Sequence, residues 1–148
     1  MRMPFQILAI PFRSGEEARY CALRRADDGL WQFVAGGGED GETPEVSARR
    51  EILEETGIAA KNIIPLTATA HLPVSVVQET YRRHWTDIFV IPEYSFAFQC
   101  HSNITLSREH TECAWLSYEE ALRRLAWDSN KTALYELHAR LCRGKLPW

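Results

Sequence analysis

The sequence has no CxxC pair. Its cysteines are Cys21, Cys100, Cys113 and Cys142, so it lacks the paired-thiol spacing of dithiol and zinc motifs. No run approaches the ~18 apolar residues of a membrane-spanning helix. The apolar start is broken by Pro4, Gln6 and Pro11 and followed at once by charge. That is not the pattern of a secretory leader, and four reduced thiols in a cytoplasmic protein are expected. Basic charge is not in excess. The formal net charge is −3, which argues against a general nucleic-acid binder. It does not argue against anionic small molecules, because a divalent cation held by acidic groups reverses the local sign. Internal repeats and low-complexity linkers are absent, so residues 1–148 read as one domain, its partner a small molecule rather than a nucleic acid or a membrane.

Hydrophobic patterning predicts mixed secondary structure. Residues 5–12 read as a strand, 14–17 as a turn, and 18–23 as the returning strand. A charged loop, 24–29, leads to a short strand at 30–34. Gly36-Gly37-Gly38 reads as a loop where backbone must approach something closely. Thr43-Pro44 is a helix start: threonine caps free N–H groups and proline suits the first helical position. The helix is expected to end near Thr56, with Gly57 as its left-handed stop. Strands are expected at 63–77, interrupted at Pro73, at 84–91, ended by Pro92, and at 111–116. Ser117 with Glu120 forms a capping-box pattern for a helix to about Ala126. A last helix starts near Ser129 or Asn130, with Leu134, Leu137 and Leu141 as its apolar stripe. The fold class expected is α/β, a mixed β-sheet sandwiched by helices.

The central helix carries the chemistry. At about 100° per residue Glu51 and Glu55 are one turn apart, with Glu54 beside them. Val46, Ala48, Ile52 and Leu53 are expected on the opposite, core-facing side. Charged helix faces are ordinarily just solvated, and Arg50 with Glu54 would make a simple i,i+4 pair. Like charges at i and i+4 call for something positive between them, however, and a glycine-rich segment lies just upstream. Clustered carboxylates with carbonyl oxygens nearby suit Mg²⁺ or Mn²⁺, which prefer oxygen ligands and are shared with substrate phosphates. A metal bridging two phosphates withdraws charge and orients the bond, as pyrophosphate hydrolysis requires.

Written out, the segment is Gly36, five residues, Glu42, seven residues, then Arg50-Glu51-Ile52-Leu53-Glu54-Glu55-Thr56-Gly57-Ile58. It resembles the complete Nudix box at every fixed position. The resemblance implies the Nudix fold, an α/β/α sandwich, and a hydrolase cleaving a nucleoside diphosphate linked to another group. It implies Glu51, Glu54 and Glu55 as metal-binding carboxylates and the Gly36 carbonyl as a further ligand. Mg²⁺ is the implied cofactor, with Mn²⁺ as a substitute. Arg50 would hold a box glutamate in place, Glu42 would orient, and a metal-activated water would attack phosphorus. Many members add a glutamate outside the box, as ligand or base. The candidate is Glu109, in the pair Glu109-His110 ahead of Trp115 and Glu119-Glu120-Ala121; Glu112 is the alternative. Strand alternation puts Glu109 and Glu112 on opposite faces, so only one of them is expected to serve.

The flanks resemble the dihydroneopterin triphosphate pyrophosphatases. The matching pieces are Arg24-Arg25 with Asp27-Asp28, Trp31-Gln32, Gly41-Glu42-Thr43, Trp85, Glu109-His110, Trp115-Leu116, and Trp127 followed by Ser129-Asn130. That resemblance implies Arg24 and Ser129 as substrate contacts. Trp127, in a polar turn, is the aromatic placed to stack on a flat ring. The products would be a monophosphate and pyrophosphate. The glycine run is richer than in that subfamily, so oxidised nucleotides, dinucleoside polyphosphates and nucleotide sugars stay open as substrates. A non-catalytic nucleotide sensor is the contrasting class, and the intact box argues against it. The chain is expected as a monomer or homodimer.

Overall fold

A computed structural model describes residues 1–147. Its elements in chain order are β1 (Arg2–Arg13), β2 (Arg19–Arg25), β3 (Trp31–Gln32), β4 (Val34–Glu39), α1 (Pro44–Thr56) and β5 (Ile63–Pro73). Two short 3-10 turns follow, Val74–Val76 and Glu79–Tyr81, then β6 (Val90–Gln99), β7 (His110–Leu116), α2 (Tyr118–Arg124) and α3 (Asp128–Cys142).

Strand β1 organises the sheet. It runs parallel to β6 from Gln6↔Glu93 to Phe12↔Gln99. On its other edge it pairs antiparallel with β4 as far as Ala9↔Val34, then with β2 from Phe12↔Tyr20. Pro11, which has no N–H to donate, falls at that handover. The order is β3-β2-β1-β6-β5, with β4 also on β1 and β7 on β2.

Side chains alternate along β1, so each face acquires its own core. Leu8, Ile10 and Phe12 pack against Ala121 of α2 and Ala133, Leu134 and Leu137 of α3. Phe5, Ile7 and Ala9 pack against Ala48 and Ile52 of α1. The result is the expected α/β/α sandwich. Glu136 fastens α3 to the sheet. It accepts the Thr67 and Ala68 N–H groups at 2.8 and 2.7 Å, where the β5–β6 register is irregular. His138 is structural: its Nδ1 lies 2.7 Å from the Tyr20 hydroxyl and its ring stacks on Tyr118. All four cysteines are free thiols. No helix among the described residues is long and apolar enough to cross a membrane.

Five expectations are corrected. Gly36–Gly38 is not a loop but part of β4, paired to β1 through Ile7↔Gly36 and Gln6↔Gly37. A side chain on each glycine would collide with another: Glu51 at Gly36, Arg2 at Gly37 and Phe5 at Gly38. The glycines are there for closeness, not for turning.

Residues 84–89 form no strand, and β6 begins only at Val90. Pro92 lies inside β6 rather than ending it. β1 pairs with β6 only from Glu93 onward, so Pro92 has a strand neighbour on the β5 side alone. The expected strand at 30–34 breaks at Phe33, whose N–H is taken by Asn130 Oδ1 at 2.9 Å.

Val46 and Leu53 are exposed rather than core-facing. The buried stripe of α1 is Ala48, Glu51, Ile52 and Glu55, an i, i+3, i+4, i+7 set. The carboxylates share the inward face with the apolar residues.

Candidate active site

Helix α1 is pinned at both ends. Thr43 Oγ1 accepts the Val46 N–H, and Gly57 takes a left-handed φ of 74° while its N–H bonds to Leu53. This fixes the rotation that lays Glu51 and Glu55 against β4. Gly36 then lets the Glu51 carboxyl press onto the strand where a Cβ would otherwise stand.

Arg50 ties the acidic groups together. Its Nε and Nη2 grip Glu42 at 2.8 and 2.9 Å. Nη2 also donates to the Gly37 carbonyl at 2.8 Å, and Nη1 to Glu51 at 2.9 Å. Exposed Glu54 lies 3.3 Å from Nη1. The cation that i,i+4 carboxylates call for is therefore partly Arg50 itself. Glu42 also accepts from Ser47 Oγ and the Glu39 N–H, both at 2.7 Å. The Arg50 hydrogen bonds hold the Glu42 carboxyl down at about 2. Burial pushes Glu51 up to about 7 despite Arg50, and Glu54 and Glu109 add to the rise.

Glu55 is nearly inaccessible, at 2% exposure. Its Oε2 accepts the Ala35 N–H at 3.1 Å, while Oε1 has no hydrogen-bond partner. His110 Nδ1 lies 3.6 Å from that oxygen, and neither ring nitrogen of His110 makes a hydrogen bond. Burial, then the Glu51 and Glu109 charges, raise Glu55 well above the carboxylate range. Burial, then Arg25, lowers His110. Both groups are driven toward neutrality. His110 is thus an interior residue, not a surface one.

Ligand atoms of Glu55, Glu109 and His110 all lie within 4.8 Å of one another. A buried carboxyl oxygen without a partner, grouped with Glu109 and His110, is one that a divalent cation could complete. The oxygen-rich donor set fits Mg²⁺ or Mn²⁺.

Geometry separates the two outlying glutamates. Glu109 is exposed and lines the cavity, its carbonyl held by the Ala26 N–H at 2.8 Å. Glu112 instead pairs with Arg24 at 3.6 Å across the β2–β7 ladder. Arg24, which also donates to the Gly29 carbonyl, is not among the cavity-lining residues. Its neighbour Arg25 is, bound to Asp27 at 2.9 Å.

The cavity measures about 1120 Å³. It runs from Glu55, Glu109 and His110 past Gly36 and Gly37 of β4, then over Gln6 of β1 and Glu93 of β6 to β5. Trp127, 48% exposed, and Ser129 line it from the start of α3. Arg2 and Glu93 also line it and escaped the sequence reading. Arg2 lies over Gly37, but a basic residue ahead of an apolar run carries no signal. Glu93 is a lone acid in an apolar strand, a signal hidden because Pro92 was taken as the strand's end.

A family model for the NUDIX domain matches residues 5–137. The chain belongs to the Nudix family. A Listeria monocytogenes protein solved as a candidate NUDIX hydrolase is 41% identical, covers 97% of both chains and superposes with a TM-score of 0.85. The Escherichia coli dihydroneopterin triphosphate pyrophosphohydrolase is 24% identical over 93% of this chain and 97% of that one, with a TM-score of 0.75. At that identity the likeness speaks for the fold alone. A MutT-like protein of Streptomyces ambofaciens is 31% identical over 114 residues, 75% of this chain. The match spans 63% of that relative's length.

Proposed function

We propose that this Nudix protein is a Mg²⁺-dependent enzyme that splits a nucleoside-triphosphate-like compound into a monophosphate and pyrophosphate, with dihydroneopterin triphosphate the leading candidate. The observation that carries the reading is the juxtaposition of the buried Glu55 oxygen, Glu109 and His110 with an open cavity ending in Trp127 and Ser129. The residues that would hold the metal are Glu51, Glu54, Glu55, Glu109 and the Gly36 carbonyl. When bound, Mg²⁺, or Mn²⁺ in its place, supplies positive charge against the polyphosphate oxygens.

The chain's own groups do the rest. Arg50 aligns Glu51 and Glu54 through the contacts described above. The exposed Glu109 carboxylate is placed to accept the proton of the attacking water. The Arg2 guanidinium over Gly37 offers a fork for phosphate oxygens. Trp127 offers a face for a planar ring. The flanking sequence supports the pterin substrate.

A product assay with Mg²⁺ over dihydroneopterin triphosphate, canonical and oxidised deoxynucleoside triphosphates, ADP-ribose and diadenosine polyphosphates tests the reading. Pyrophosphate release from a triphosphate is expected. Cleavage of ADP-ribose or a dinucleotide alone would replace the reading. Glu55→Gln is expected to lose more than ~10²-fold in kcat; undiminished turnover would mean the site is misassigned.

A further inference from the structure

Glu93 is a buried acid on β6, outside the acidic helix. It is 3% exposed and lines the cavity on the face shared with Ser95 and Gln6. Gln6 Nε2 donates to its Oε2 at 3.1 Å, the Ser129 side chain stands within hydrogen-bonding reach of the carboxyl, and Oε1 makes no hydrogen bond of good geometry. No lysine or arginine pairs with it among the described residues. Burying a carboxylate without a cation is costly, and the cost falls when donors complete its lone pairs. Strand register places Gly37 and Glu93 on either side of Gln6. A ligand with phosphates at the Gly36–Gly37 end therefore projects its other end over Gln6 toward Glu93. A phosphate is repelled there. A ring edge with one N–H between two carbonyls offers a single donor flanked by acceptors. A ring edge with an N–H beside an amino group offers two parallel donors, the fork a carboxylate accepts best.

We propose that Glu93 is the specificity-determining residue of the cavity and binds the 2-amino-4-oxopyrimidine edge that guanine and pterin rings share, with Oε1 receiving one N–H. This rests on the cavity being the substrate site. Trp127, exposed at the same cavity, covers the ring face. The selection is for the donor pair, not for purine or pteridine size.

The test uses ligands that differ by the amino group alone. Equilibrium binding of GMP and IMP, which have no anhydride to cleave, is measured on the wild-type chain by calorimetry. Turnover of GTP and ITP is measured with Mg²⁺. The guanine compound is expected to be favoured about tenfold or more in both. Glu93→Gln, which replaces one acceptor with a donor, is expected to erase that preference, raising KM for GTP by a larger factor than KM for ITP, whose ring keeps the N–H but lacks the amino group. Equal treatment of GMP and IMP and of GTP and ITP by the wild type overturns the assignment, whether or not the variant folds. An equal loss on GTP and ITP in Glu93→Gln also overturns it, in favour of a structural role. If GMP is preferred but no triphosphate is cleaved, the hydrolytic reading fails and Glu93 keeps its role.

Discussion

Arg50 and Gly36 show how single residues set the chemistry. Arg50 makes charge-assisted bonds to Glu42 and Glu51 and reaches the Gly37 carbonyl in a half-buried setting. Arg50→Ala leaves Glu42 and Glu51 without their cation and is expected to cost about 2 kcal/mol, read from chemical denaturation. Arg50→Lys should recover little, because an ammonium cannot make the paired contacts to Glu42. A lysine variant as stable and active as wild type would show that only the charge matters. Gly36→Ala acts differently. The added methyl would occupy the space of the Glu51 carboxyl, a flexible end that can move aside. The fold is expected to survive with a stability change of about 1 kcal/mol or less. Activity should fall by roughly 10²-fold, because a carboxylate displaced by an ångström no longer serves. A parallel measurement of melting and turnover separates the two effects.

Elements carry the next level of specification. Helix α1 was legible end to end. Thr43, Pro44 and Gly57 act through local backbone chemistry, and the structure places them at cap, first turn and left-handed stop. Thr43→Ala should cost about 1 kcal/mol through the lost cap, measured by thermal melts. Gly57→Ala should cost a comparable amount, since φ is 74° there. What was not legible was the orientation of that helix. The inward stripe mixes Glu51 and Glu55 with Ala48 and Ile52, and a reading that sorts residues by polarity places them on opposite faces. Strand β6 was misplaced for a similar reason. Pro92 stops a strand only if both edges need donors, and its β1 edge has no partner. Asn130 is another tertiary device: its side chain takes the Phe33 N–H that leaves the ladder between β3 and β4. Asn130→Ala should cost about 1–3 kcal/mol by stranding that buried donor; an unchanged melting curve would contradict this.

At the scale of the whole molecule, the sandwich gathers carboxylates whose ionisation opposes folding. Burial raises Glu51, Glu55 and Glu93 above their ordinary value of 4.5. Such groups contribute stability that is full below that value and is lost as pH rises through the folded-state pKa, for Glu51 near 7. Glu42 runs the other way: its contribution is present above 4.5 and lost as pH falls toward about 2. The metal-free protein should therefore melt at a lower temperature at pH 7 than at pH 5. Mg²⁺ should raise the melting temperature more at pH 8 than at pH 5, because ionised carboxylates bind it. Thermal melts in EDTA and in Mg²⁺ at the two pH values provide the check, and a metal effect independent of pH would contradict the assignment of the ligands. Local chemistry in the chain determined the helix caps, the α/β class and the Gly36 to Ile58 box, because these depend on neighbours in sequence and on a spacing that survives without coordinates. Only the tertiary structure decided the rest: that Glu109 and not Glu112 meets Glu55, that Arg24 turns to Glu112 while Arg25 lines the cavity, that the glycines form a strand, and that Glu93 lies buried beside Gln6. Each of these depends on which strand lies next to which, and a side chain's role there is set by partners far away in sequence.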